Sequence, residues 1–376
     1  MFLLEYIFIV LIINVWIINR LFTVVIEILN QRSIRVKNKK RLAWIDIAKG
    51  LGMICVVMGH SFLLNAQALY MKAIIYGFHM PLFFIISGYL INDSMNRGKI
   101  IKKRVQSLLI PYVTYSIIIR LFNIVLDYIR GIKHNMFNDV VGSIVQIRGT
   151  NYSGVVWFLT WMFVSQLIML IILKIATTEI WRNIICIILF LIGSIITNVL
   201  RYKLPWHVDA AFISVLFLRF GMIYKNKQKI VDKYITKYIL IIICVYFVVL
   251  AVNVKVFSKQ YIDLYDGRIG NPLLYVIAAV LGSFVMIWIA KQIDENSKIC
   301  YCLSAIGRHS MTIYGLHTML CTIFYHVFIR IGLSDGNGWI EILRAIFCTS
   351  MCLIIIVPIG RIMEKKGAIL FGYKKG

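Results

Sequence analysis

Apolar runs of about 20 residues, separated by short polar or basic stretches, recur along the whole chain. A run of that length crosses the ~30 Å hydrocarbon core of a bilayer as one helix. Spans are predicted near 2–22, 44–64, 73–92, 106–128, 154–173, 183–200, 208–224, 238–254, 271–290, 310–332 and 339–360. The pattern predicts an all-α fold, a polytopic transmembrane helix bundle of about 11 spans, with its termini on opposite sides. The first run has the length of a signal peptide. It lacks a basic leading region, and a strongly basic stretch follows it in place of a small-residue cleavage site, so it reads as a retained helix.

One run departs from the apolar pattern. Residues 41–61, RLAWIDIAKGLGMICVVMGHS, carry Asp46, Lys49 and His60 inside a stretch long enough to span. Charge within a span is costly, which makes these residues candidates for function. Lys49 and His60 are eleven positions apart, roughly three turns plus 20°, so both leave one helix face about 16 Å apart along the axis. The next span reads YGFHMPLFFIISGYL (76–90) and places His79 close to Pro81, which is expected to kink the helix near His79. Gly77 and Gly88 permit close helix approach. The short connection 64–73 makes the two spans neighbours, so His60 and His79 are expected to line one cavity.

Three further stretches carry candidate chemistry. Lys99, Lys102, Lys103 and Arg104 precede the third core span. They suit anchoring to anionic headgroups or binding the phosphates of a cytoplasmic ligand. In VVWFLTWMF (155–163), Trp157 and Trp161 fit interfacial anchors. In AIGRHSMTIYGLH (305–317), His309 opens a span and His317 lies a few turns inside it, as a packing histidine or a chemical one.

Composition narrows the class. The chain is 60% hydrophobic with a mean hydropathy of +0.83, too apolar for a soluble domain. Its net charge of +25 would suit nucleic acid, yet the basic residues cluster between spans, which argues for lipid bilayer and against nucleic acid as the partner. Segments 30–43, 93–104, 174–183, 225–237, 291–309 and 361–376 hold 26 of the 41 Lys and Arg, and the alternate segments hold 9. The excess marks the cytoplasmic side, with the N-terminus outside and the C-terminus cytoplasmic. Lys49 then lies near the cytoplasmic face, with His60 and His79 in the outer half. The eight cysteines follow no zinc spacing and read as small buried hydrophobes and free thiols, with no metal expected. Spans with internal charges suit a transporter or flippase of a sugar or lipid-linked glycan as well as an enzyme. A pure scaffold leaves Lys49, His60 and His79 without a reason. No pair of related halves with broken helices, common in transporters, is visible.

DIAKGLGMICVVMGH (46–60), FHMPLFFIISGYL (78–90), KKRVQSLLIPY (102–112), WFLTWMF (157–163) and GRHSMTIYGLH (307–317) resemble, in order and spacing, the acyltransferase 3 family of integral membrane acyltransferases. Its fucose 4-O-acetylase-like and bacterial polysaccharide O-acetyltransferase members are the nearest in flavour. The resemblance implies a ten-span core in a bacterial plasma (inner) membrane. It implies an O-acyltransferase that takes a cytoplasmic acyl-CoA, usually acetyl-CoA, and modifies hydroxyls of a sugar or polysaccharide at or beyond the outer face. The domains implied are 1–40, an extra helix with a basic linker; 41–362, the acyltransferase domain; and 363–376, a basic tail. Homo-oligomer formation is left open. The family's basic residue followed ten residues later by a histidine falls on Lys49 and His60. Its basic motif before the third span falls on Lys103 and Arg104, and its usual last basic position is Ser107 here.

O-acyl transfer needs a base for the attacking hydroxyl, and histidine titrates near working pH. The expected catalytic residues are His60 and His79. Lys49, Lys103, Arg104 and, more weakly, Arg219 are expected to hold the donor. Asp46 is expected to orient Lys49 as an i, i+3 pair, with Trp157 and His317 in support. The growing oxyanion needs donors, for which Asn65, Trp157 and Ser87 are weak candidates. An acyl-histidine intermediate and direct attack fit equally well.

Overall fold

The computed structural model describes residues 42–61, 66–93, 96–131, 136–147, 154–332 and 338–373. The predicted span 2–22, its basic linker and Asn65 lie outside the described residues. The described chain is helical, and its lone bridge, Asp263 with Arg268, lies in a loop. Nine helical segments among the described residues are long and apolar enough to cross a membrane. The protein is thus an all-α, polytopic membrane helix bundle. The chain divides into two compact units, one holding residues up to Ala68 with Met286–Ile362, the other holding Leu69–Val285 and the residues from Met363.

In the first unit, α1 (Ala43–Ser61) is buried over nearly its whole length. The predicted cytoplasmic loop 291–309 contains a helix of its own. Ser297 accepts from the Cys300 amide and caps that segment, which numbered in chain order is α11 (Lys298–Arg308). It packs along α1. A Cβ on Gly307 would stand 1.8 Å from the Asp46 carbonyl oxygen, and one on Gly50 would stand 2.2 Å from that of Leu303. The two backbones therefore touch, which only glycine at both places allows. Helix α12 (Ser310–Arg330) follows and also packs on α1, and α13 (Gly338–Gly367) ends the bundle.

In the second unit, the predicted span 73–92 is broken into α2 (Ala66–Tyr76) and α3 (His79–Tyr89). The break lies at Gly77–Phe78, next to His79, where the kink is expected and four residues before Pro81, at the carbonyl a proline leaves without its donor. Pro81 sits in the first turn of α3, where a missing N–H costs nothing because no helical acceptor exists there. A short amphipathic helix, α4 (Arg97–Arg104), is capped by the Asn96 side chain, which accepts from the Lys99 amide. A π-helical turn over Val105–Leu109 leads into α5 (Ile110–Arg130). The predicted outer loop 129–153 holds α6 (Met136–Val145). Two further spans are α7 (Trp157–Ile175) and α8 (Glu179–Ser194), and Arg97 donates to the Leu173 carbonyl at the end of α7.

The two predicted spans 208–224 and 238–254 and the basic segment between them form one helical stretch, α9 (Val208–Val252), broken at Lys227 and Tyr238. Gly88 lies against Leu218 and Gly77 against Leu250. Straight helix would separate residues 218 and 250 by roughly 48 Å, whereas 77 and 88 are roughly 16 Å apart. The stretch therefore folds back at its breaks, and the Tyr224 hydroxyl donates to Asp232 at 2.8 Å across the bend. One segment by length thus occupies the place of two predicted spans. The last long helix before the first unit resumes is α10 (Pro272–Gln292).

Candidate active site

In the first unit, α1 carries Asp46, Lys49 and His60 on one unbroken helix. Asp46 is buried where α11 crosses, and Lys49 is half-buried one residue before Gly50. His60, at the other end, is exposed toward a cavity of about 240 Å³. Ser61, Thr318, Thr322, Tyr325 and Arg344 supply polar groups to the same cavity. The His317 ring lies 5.1 Å from the His60 ring, tilted by 58°. His317 is fully buried, and its Nδ1 donates to the carbonyls of Ile313 and Tyr314, 3.0 and 2.9 Å away. That fixes the lone pair on Nε2, which has no hydrogen-bond partner among the described residues. Arg344 is buried and paired with Glu341 one turn away, so the cavity wall carries a neutralised cation. In this unit His60 is therefore joined by His317, a residue read from sequence as a supporting one.

In the second unit, His79 opens α3, just past the break. At the break the Ile75 carbonyl accepts from the Phe78 amide at 3.3 Å, and the His79 ring adds a second bond, with Nδ1 2.9 Å from that oxygen. The ring is buried against Tyr76, 4.8 Å between centroids, and Tyr76 meets Tyr261 at 5.1 Å. Tyr261 belongs to the loop after α9, where Arg268 pairs with Asp263 and Asp266 at 3.6 and 2.9 Å. Burial raises the Asp263 carboxyl above its usual value, and the nearby Asp266 adds to the rise.

Trp157 and Trp161 stack on each other one turn apart, 5.1 Å between centroids. Trp161 is fully buried, which is not the position of an interfacial anchor. Trp157 is half-buried and also meets His207 at 4.9 Å and Tyr265 at 5.1 Å. His207 and its neighbour Trp206 both hold left-handed φ values of 55°. Two adjacent side-chain-bearing residues in that region are uncommon and store strain. Sequence reading missed His207, because a histidine in a short loop leaves no periodicity to read.

Of the expected donor cations, Lys103 is exposed on α4, and Arg104 is half-buried. Arg219 is buried, with Nε donating to Asn183 at 2.7 Å and Nη2 bonded to Glu179. It lines a cavity of about 210 Å³ with Asn92, Asp93, Arg182 and Lys225. Two carboxylates there offset most of the positive charge.

No curated protein and no solved structure matches the chain. The family model described as an acyltransferase domain matches residues 42–361, from the start of α1 to the last turns of α13. The chain belongs to this family, and it is an integral-membrane acyltransferase by fold and membership.

Proposed function

We propose that the protein moves an acyl group, acetyl in the simplest case, from cytoplasmic acyl-CoA to a hydroxyl of a cell-surface or lipid-linked sugar or polysaccharide. One observation carries this reading: His60 faces a polar-lined cavity with the ring of His317, held by two backbone carbonyls, 5.1 Å away. A neutral His60 takes the proton from the acceptor hydroxyl as that oxygen attacks the thioester carbonyl. The buried Nε2 lone pair of His317 favours the imidazolium that results. As the tetrahedral intermediate collapses and the C–S bond breaks, the His60 imidazolium gives its proton to the sulfur, CoA leaves as the thiol and His60 is neutral again. Direct transfer is the simplest route, and an acyl-imidazole on His60 is the variant.

Lys49 is the donor contact on α1, about 16 Å along the helix from His60, and Asp46 orients it. Lys103 and Arg104 are donor contacts on α4. Arg219 contributes less, since its guanidinium is held by Glu179 and Asn183. His79 acts through the acceptor, its Nδ1 bound to the Ile75 carbonyl and its Nε2 left as the acceptor of a proton. The half-buried face of Trp157, among Tyr265 and His207, offers an apolar surface to the C–H face of a sugar ring. The positive-inside pattern supports a cytoplasmic C-terminus in a bacterial plasma membrane. Family membership weighs against the transporter alternative. The test is transfer of labelled acetyl from acetyl-CoA to a panel of glycans by the purified protein. Labelled product that disappears with His60→Ala supports the reading; acetyl-CoA left intact with every acceptor, in a folded preparation, overturns it.

A further inference from the structure

Cys321 on α12 and Cys348 and Cys352 on α13 bring three thiols together in the first unit. Cys348 and Cys352 are one turn apart, so they share a helix face. The Cys321 sulfur is 3.7 Å from that of Cys348 and 3.9 Å from that of Cys352, and all three lie within 4.8 Å of one another. These separations are far longer than a disulfide bond of about 2.05 Å. The 3.7 and 3.9 Å separations match sulfurs that share one ion: with metal–sulfur bonds of about 2.3 Å, tetrahedral ligation separates sulfurs by ~3.8 Å and trigonal ligation by ~4.0 Å.

The surroundings fit a ligand site better than plain packing. Cys321 and Cys348 line the same 240 Å³ cavity as His60, so an ion and its exchange partners have a way in. The Ser61 hydroxyl is 3.6 Å from the Cys321 sulfur, and the His317 carbonyl oxygen is 4.0 Å from the Cys352 sulfur. Three sulfur donors select a soft or borderline cation and exclude Mg²⁺ and Ca²⁺, which take oxygen ligands. The linear sequence hides the set, because the ligands come from two helices and follow no zinc-finger spacing.

We propose that Cys321, Cys348 and Cys352 form a binding site for a soft d¹⁰ cation, Cu(I) or Zn²⁺, in the wall of the His60 cavity. The sulfurs bind as thiolates, and their protons pass to solvent through the cavity. The fourth position faces the cavity and is open to water or to an imidazole. The site stands independently of the acyl-transfer reading, since its readouts need no substrate.

The test uses the full chain, purified in detergent under reducing conditions, stripped with chelator and titrated separately with Cu(I) and Zn²⁺. One equivalent of one of these ions should stay bound through gel filtration. X-ray absorption at the edge of that metal should show about three sulfur neighbours near 2.3 Å. Cys321→Ser, Cys348→Ser and Cys352→Ser should each weaken binding by about tenfold or more. Cys55→Ser and Cys186→Ser, which alter buried cysteines outside the group, should leave it unchanged. Retention of copper or of zinc identifies the ion, and either supports the site. Release of both ions, an absorption spectrum without sulfur neighbours, or equal affinity in folded variants of all three residues overturns it. If a serine variant fails to fold, the absorption spectrum of the parent protein decides.

Discussion

The rings of His60 and His317 lie 5.1 Å apart, and two backbone carbonyls fix the tautomer of His317. His317 is fully buried, while His60 faces the cavity. A base at the cavity thus has a ring of fixed orientation as its neighbour.

His60→Ala should lower acyl transfer by about 10²–10⁴-fold, the usual loss for a general base. Acyl-CoA binding should be largely retained. Steady-state rates and a donor titration on the same detergent preparation test both halves. A rate within about threefold of the parent would remove His60 from the role of base.

His317→Ala should lower kcat by about tenfold to a hundredfold with little change in KM, because its lone pair acts on the base and not on the substrate. The acid limb of the kcat profile should move to lower pH, because the lost ring favours the His60 imidazolium. An unmoved limb with a lower melting temperature would mark His317 as a packing residue.

Trp157→Ala should raise KM for the sugar acceptor by about tenfold, close to 1.4 kcal/mol, with the donor KM unchanged. Trp161→Ala removes a fully buried side chain and should instead cost about 3–5 kcal/mol of stability. Acceptor kinetics and thermal melts separate the two residues. Equal effects on both readouts would argue against an acceptor platform.

Gly307→Ala and Gly50→Ala should each destabilise the protein by about 1–3 kcal/mol, since the added carbon meets backbone and not a movable side chain. Gly98→Ala is the control. Its added carbon meets only the Asn96 side chain, at 3.2 Å. Melting temperatures of the three variants decide the matter. No loss at either crossing glycine would mean that the helices separate there at low cost.

Arg219→Ala should cost about 1.5–3 kcal/mol, the range for hydrogen bonds to a charged group, because it removes the bonds to Asn183 and Glu179, of which Glu179 keeps its pair with Arg182. Lys103→Ala, on an exposed face, should leave stability within about 0.5 kcal/mol and weaken acyl-CoA binding. If Lys103→Ala left donor binding intact, the basic face of α4 would serve the lipid headgroups.

Much of the helix inventory could be read from apolar run length alone. What could not be read followed from chemistry that run length does not carry. The basic segment 225–237 looked like a loop because charge breaks an apolar run, yet Lys, Gln and Asp are compatible with helix, and α9 continues through them with breaks at two residues. Pro81 did mark the kink near His79, and the chain breaks there, at Gly77–Phe78, with the proline in the first turn of the helix that follows. His60 and Lys49 stood out because charge in a span is rare. His207 and the three clustered cysteines did not, because their meaning arises only when separate helices meet.

The contacts of Gly307 with Asp46 and of Gly50 with Leu303 leave α1 no freedom to slide. The depth of His60 is therefore counted in residues from that anchor. Inserting one residue between Gly50 and His60 would advance the imidazole by about 1.5 Å and swing it about 100° around the axis. Deleting one would do the reverse. Helix α1 works as a ruler with its zero mark fixed at the crossing, and the permitted error at the His60 end is less than one residue.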